Sequence, residues 1–146
     1  MVTTILIAFA LVAVTVAVHA SGLAVLLMSM RKRANWRLVT GWRFTGLLVL
    51  VAHWLILLHL AEIATWGLFY LVSGTLPDPE AALYFSGVTY TTIGYGDLVL
   101  AKPWRILGPI EGLTGVLMGG LSASFFFAIV HRIHESLRSE ATGRTP

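Results

Sequence analysis

Three stretches nearly empty of charge constrain this chain more than any other feature. Residues 5–30 carry no formal charge, residues 45–71 are interrupted in polarity only by His53, His59 and Glu62, and residues 106–130 hold one acid, Glu111. Each run exceeds the roughly 20 residues that a helix needs to cross hydrocarbon. Lipid offers no partners to backbone N–H and C=O groups, so runs of this length must satisfy their own as helices. Of the 146 residues 57% are hydrophobic and 12% charged, with a mean hydropathy of +0.82, far too apolar for a soluble globular domain. The expected fold class is an all-α membrane protein with three transmembrane helices. A secretory signal competes for the first run, since Val18-His19-Ala20 is a tolerable cleavage site. A basic stretch ahead of the apolar run is missing, however, and Arg31-Lys32-Arg33 follows it instead, so a retained helix is favoured.

Charge placement sets the topology. Arg31, Lys32, Arg33, Arg37 and Arg43 lie between the first two runs with no acid among them, which by the positive-inside rule puts that loop in the cytoplasm. The expectation is a multi-pass protein of the plasma membrane, its N-terminus outside and its tail, with Arg132, Arg138 and Arg144, in the cytoplasm. Trp36 and Trp42 fit the inner interface, and Trp66, Tyr70 and Trp104 the outer one. The net charge of +3 sits beside apolar runs, where headgroups and topology account for it, so membrane lipid and not nucleic acid is the expected partner. The absence of cysteine excludes disulfides, thiolate metal sites and cysteine nucleophiles.

The external segment 72–105 is the odd piece. Its part 81–90 is too apolar for a free loop and too short for another crossing, which reads as a re-entrant half-helix. Asp78 is a good N-cap, Pro79 suits the first helical position and Glu80 complements the positive end of the dipole. The helix should stop at the β-branched and glycine-rich Thr91-Thr92-Ile93-Gly94. Beyond it, Gly94 and Gly96 flank Tyr95 and supply φ values that other residues resist, so successive carbonyls can turn toward one axis and replace the water around a bare cation. Non-helical backbone at membrane depth survives only when protein buries it or water lines it, so an assembly must surround this loop.

Thr92-Ile93-Gly94-Tyr95-Gly96-Asp97 resembles the signature sequence of potassium channels, and Tyr84-Phe85 before Val88-Thr89-Tyr90-Thr91-Thr92 is similar to their pore helix. The resemblance covers residues 45–131 and implies an outer helix at 45–71, a pore helix at 79–91, a selectivity filter at 92–97 and an inner helix at 106–131. Residues 1–44, an extra helix with a basic loop, have no counterpart in the minimal pore, and 132–146 form a short tail. The resemblance implies a homotetramer, since one chain carries one filter strand, and a potassium-selective channel conducting passively. Ion ligands would be the carbonyls of Thr92, Ile93, Gly94 and Tyr95, with the Thr92 hydroxyl at the innermost site and Gly96 completing the strand. No cofactor is expected beyond potassium ions in the pore.

Other residues carry two readings each. Asp97 either concentrates cations at the outer mouth or hydrogen-bonds behind the filter, and Tyr95 packs outward against Tyr84 and Phe85. Gly108, Gly112, Gly115 and Gly119 form one stripe that serves close helix packing, while Gly119-Gly120 is a candidate gating hinge. Glu111 should support the back of the filter through hydrogen bonds, and Glu62 should satisfy His59 or contact the first span. His131 and His134 are either a pH-sensing ring near the axis or plain helix-end residues. No helix repeats basic residues every third position, as a voltage sensor would, and no catalytic constellation appears, so no enzyme activity is expected. A non-selective cation channel and an ion-translocating subunit of a potassium transporter are the alternatives. The intact Gly94-Tyr95-Gly96 argues against the first, and a single pore-loop unit against the second.

Overall fold

The computed structural model describes residues 2–33 and 42–141. Four α-helices carry the described fold: α1, Val2–Arg33; α2, Trp42–Val72; α3, Pro79–Tyr90; and α4, Leu107–Ala141, which a single 3-10 turn, Trp104–Ile106, precedes. Val2–Met30, Trp42–Val72 and Trp104–Glu135 are long and apolar enough to cross a membrane. Only 22%, 17% and 28% of their apolar windows are buried inside the chain, so most of each helix is left for lipid or partner subunits. Trp36, Arg37 and most of the basic loop, with Arg144 in the tail, lie outside the described residues.

Local chemistry explains the element ends. Asp78 is extended at φ −151° and its carboxylate accepts from the Ala81 N–H at 2.9 Å, while Pro79 occupies the first turn of α3. At the other end the helix closes at Tyr90, and the Thr91 N–H returns to the Gly87 carbonyl at 3.1 Å. Helix α4 runs on to Ala141, ten residues past the end that hydropathy implies. Residues 132–138 contain no glycine or proline, and His131 and Glu135 pair at 3.6 Å one turn apart, so nothing local stops the helix there.

Packing gathers in two layers. Toward one end, Ala8, Trp66, Tyr70, Ala82, Phe85 and Leu107 join α1, α2, α3 and α4. Toward the other, Leu26 and Met30 of α1 meet Val51 and Leu55 of α2 and Ile129 and Ile133 of α4. On α1 the buried positions Thr4, Ala8, Thr15, His19, Leu26 and Met30 recur at intervals of four or seven, a single helical face turned inward. Trp66 and Tyr70 are fully buried, not interfacial. Each has a polar partner inside the protein, the Thr15 hydroxyl at 3.0 Å for the indole N–H and Glu111 at 2.7 Å for the phenol, so neither needs the membrane surface.

Candidate functional site

Loop 91–97 follows α3 directly and owes its shape to alternating backbone handedness. Thr92, Gly94 and Gly96 have φ of 61°, 52° and 79°, while Ile93 and Tyr95 keep negative φ. Alternation of this kind turns successive peptide planes so that their carbonyls can face one side, where a helix or strand would pair them. Glycine adopts such values freely, but Thr92 is β-branched and pays strain for its position. Beyond Thr91, two further N–H groups anchor the loop to α3: Thr92 to the Thr89 carbonyl and Gly94 to the Val88 carbonyl, each at 2.9 Å. Among the described residues no donor reaches the carbonyls of Thr92, Ile93, Gly94 or Tyr95. The single chain leaves Ile93 55% and Tyr95 70% exposed, so this strand lacks a cover of its own.

Around the loop, the supporting residues divide. The Tyr84 hydroxyl donates to Asp97 at 2.7 Å, which ties the outer end of the loop to α3. That contact, with smaller help from the backbone N–H groups of 97 and 98, holds the Asp97 carboxyl below the usual carboxylate range, and it raises the Tyr84 phenol in turn. Phe85 does not meet Tyr95; its ring lies edge-on to Tyr70 at 5.2 Å, inside the core. A cavity of about 210 Å³ behind the loop is lined by Phe85, Val88, Gly94, Gly96, Gly108 and Pro109.

Glu111 is fully buried and binds α3, not the loop itself. Its carboxyl accepts from Tyr70 at 2.7 Å and stands 2.5 Å from the Ser86 oxygen, while that same hydroxyl reaches the Ile63 carbonyl at 2.8 Å. One serine has one proton and a carbonyl can only accept, so both contacts are hydrogen bonds when the carboxyl supplies the second proton. The stripe on α4 packs here as well. A Cβ at Gly112 would stand 3.3 Å from the Thr89 carbonyl, and one at Gly115 would overlap the Tyr90 carbonyl. A Cβ at Gly119 or Gly120 would meet nothing within 4 Å, and α4 passes through them without a break.

Glu62, also fully buried, takes its partners from three helices. It accepts from His19 of α1 at 2.7 Å and from the Tyr90 hydroxyl of α3, and His59 of α2 stands at 3.4 Å. Neither His19 nor Ser122 is among the residues that the motif points to, and Tyr90 enters it only as one position of the pore-helix stretch. The one signal for His19 was its place as the sole titratable side chain in an otherwise uncharged span. His19, His59 and Glu62 form a donor set that a borderline divalent ion could use, with ligand atoms within 4.8 Å of one another. Yet 2.7 Å between His19 Nδ1 and Glu62 Oε1 is the separation of atoms sharing a proton, shorter than two ligands stand across one ion. His131 is 57% exposed, pairs with Glu135 and stacks near Phe127 at 6.1 Å; His134 is exposed.

Comparisons with known proteins bear on the same region. A family model described as "Ion channel" matches residues 47–132. The uncharacterized MFS-type transporter YuxJ of Bacillus subtilis (strain 168) is 36% identical over 70 residues, covering 48% of this chain and 18% of that protein. The chain thus spans less than a fifth of the length of the curated relative it matches. No solved structure matches significantly. The family match takes in α3, the loop and most of α2 and α4, more than half of the chain, and on that ground this chain belongs to the ion channel family.

Proposed function

We propose that four copies of this chain assemble around one axis into a potassium-selective channel that conducts passively down the electrochemical gradient. The observation that carries this reading is loop 92–96, where positive φ at Thr92, Gly94 and Gly96 accompanies carbonyls of Thr92 through Tyr95 that have no internal partner. Neutral dipoles can replace the hydration shell of a cation without the deep trap that a ring of carboxylates would make. Exposed Ile93 and Tyr95 support the assembly, because backbone of this kind persists at membrane depth only under protein cover. Thr92, Ile93, Gly94 and Tyr95 supply the ion ligands, Tyr84 and Asp97 clamp the outer end, and Glu111 fixes α3 through Ser86. Gly119-Gly120, the open part of the α4 stripe, is the place where the inner helix can bend.

Positive-inside placement of the basic loop supports an outside N-terminus and a plasma-membrane location. The reading is tested by reconstituting the purified chain in liposomes and measuring potassium and sodium flux with and without barium, beside the mass of the assembly. Barium-sensitive potassium flux well above sodium flux, from a tetramer, is expected. Equal fluxes would remove the selectivity, and no flux from a non-tetrameric particle would remove the channel. The name of the Bacillus subtilis relative raises a transporter reading; flux that needs a second ion gradient would favour it.

A further inference from the structure

Five side chains from four helices, Glu62 among them, form one buried cluster, and their protons can be counted. On one side of the two imidazoles, His19 Nδ1 lies 2.7 Å from Glu62 Oε1, Tyr90 donates to Oε2, and His59 Nδ1 lies 2.9 Å from the Tyr90 oxygen. On the other side a single hydroxyl, Ser122 of α4, stands 3.0 Å from His59 Nε2 and 3.5 Å from His19 Nε2. No buried side-chain nitrogen or oxygen among the described residues lacks a partner.

Ser122 has one proton, so it donates to one Nε2 and must accept from the other. Tyr90 gives its proton to Glu62 and accepts from the Nδ1–H of His59, and one further proton lies between His19 and Glu62. With Glu62 ionised, the two rings must then hold three protons, two on one ring and one on the other, where two neutral rings would hold two. That assignment makes the cluster one imidazolium against one carboxylate; with the proton of the His19–Glu62 contact on Glu62 both rings are neutral, and the two assignments differ only in the place of that one proton.

We infer that His19, Ser122 and His59 form a one-proton relay, and that its proton clasps α1 to α4. In one state His19 is the imidazolium and donates through Nε2–H to Ser122, which donates to His59. When that Nε2 proton passes to the Ser122 oxygen, the original hydroxyl proton passes to His59 Nε2. One N–H and one O–H bond break while one O–H and one N–H form, and the charge moves from His19 to His59 without a change in total. The His59 side chain is 23% exposed in the single chain and that of His19 1%, so of the two rings His59 is the one with a face outside the chain. Removal of the extra proton leaves one hydroxyl donor for two bare Nε2 acceptors, and the longer contact, to His19, is released.

Ser122 follows Gly119-Gly120 on the inner helix, and Tyr90 ends the helix that leads into loop 91–97. The clasp therefore touches both places where conduction can be controlled, a consequence that rests on the channel reading. The titratable groups facing the rings are Glu62 from α2 and Tyr90 from α3. The other buried acid, Glu111 of α4, is engaged by Tyr70 and Ser86, and His53 of α2 is exposed and bonded to the Val49 carbonyl.

The test is a nitrogen NMR titration of the full chain in lipid nanodiscs, labelled with ¹⁵N-histidine and carrying H53Q, H131Q and H134Q so that only His19 and His59 report. One imidazolium averaged over both rings, lost in one shared step, is expected. Ser122→Ala should split that step into two independent titrations, and Ser122→Thr, which keeps the hydroxyl, should restore it. Two neutral rings at every pH, or a shared step that survives Ser122→Ala, would overturn the relay. In liposomes, potassium flux should follow the same step, changing by up to about tenfold per pH unit for one proton, and lose that dependence in Ser122→Ala. Flux indifferent to pH while the NMR step is present would overturn the clasp. The NMR step without any flux in a chain of sound fold would uphold the relay and count against the channel reading.

Discussion

A methyl group at Gly94 would meet no atom within 4 Å, so the demand for glycine there is one of backbone and not of space. At φ 52° an ordinary residue costs roughly 1–2 kcal/mol, in each subunit of the proposed tetramer. Gly94→Ala is expected to reduce the ratio of potassium to sodium flux about tenfold or more, and an unchanged ratio would count against the filter assignment. Glycines at 94 and 96 were legible in the sequence because their rarity of constraint is itself the signal. The left-handed Thr92 was not, since a β-branched residue gives no local hint of positive φ and only the tie of its N–H to Thr89 holds it there. Asp97 offers a sharper test. Its folded pKa is lowered, chiefly by Tyr84, so its tie is complete above the ordinary carboxylate range and is lost only as pH falls through the lowered value. Tyr84→Phe should move that acid limit upward toward the usual value of about 3.9, read by carboxyl NMR or by the pH at which flux fails; an unmoved limit would show that Tyr84 is not the cause.

At the scale of elements, the stripe on α4 separates packing from bending. Gly115→Ala would drive a methyl into the Tyr90 carbonyl and displace α3, an overpacking worth roughly 1–3 kcal/mol. Gly119→Ala has open space and should gain up to about 1 kcal/mol of helix propensity, while slowing any opening that uses a bend there. Thermal unfolding in detergent should therefore rank Gly115→Ala below the parent and Gly119→Ala level with it or above. Equal stability of the Gly115 variant would deny the close approach. The stripe itself is readable from spacing, but its partner is not, because spacing says which residues share a face and nothing about what lies opposite. The same limit explains the two buried aromatics. Trp66 and Tyr70 near a helix end look like an interfacial belt to any hydropathy argument, and only Thr15 and Glu111, distant in sequence, reveal them as core. By contrast the start of α3 was written locally, in Asp78 and Pro79.

For the whole molecule, α1 is an integral part of the described chain, joined to α2 through Thr15–Trp66, Gly22–Trp54 and His19–Glu62. These ties span 51, 32 and 43 residues, beyond the reach of any motif, which is why the role of the first span could not be read from the sequence. Hydropathy made three crossings legible because lipid leaves the backbone no other choice, and the glycine-flanked Tyr95 made the loop legible because its chemistry is local. How the exposed strand finds its cover belongs to the proposed tetramer, whose most direct readout is electrical. In planar bilayers with equal potassium on one side and sodium on the other, the purified chain should reverse its current far toward the potassium equilibrium potential. A reversal potential near zero would contradict selectivity through the carbonyls of Thr92 to Tyr95.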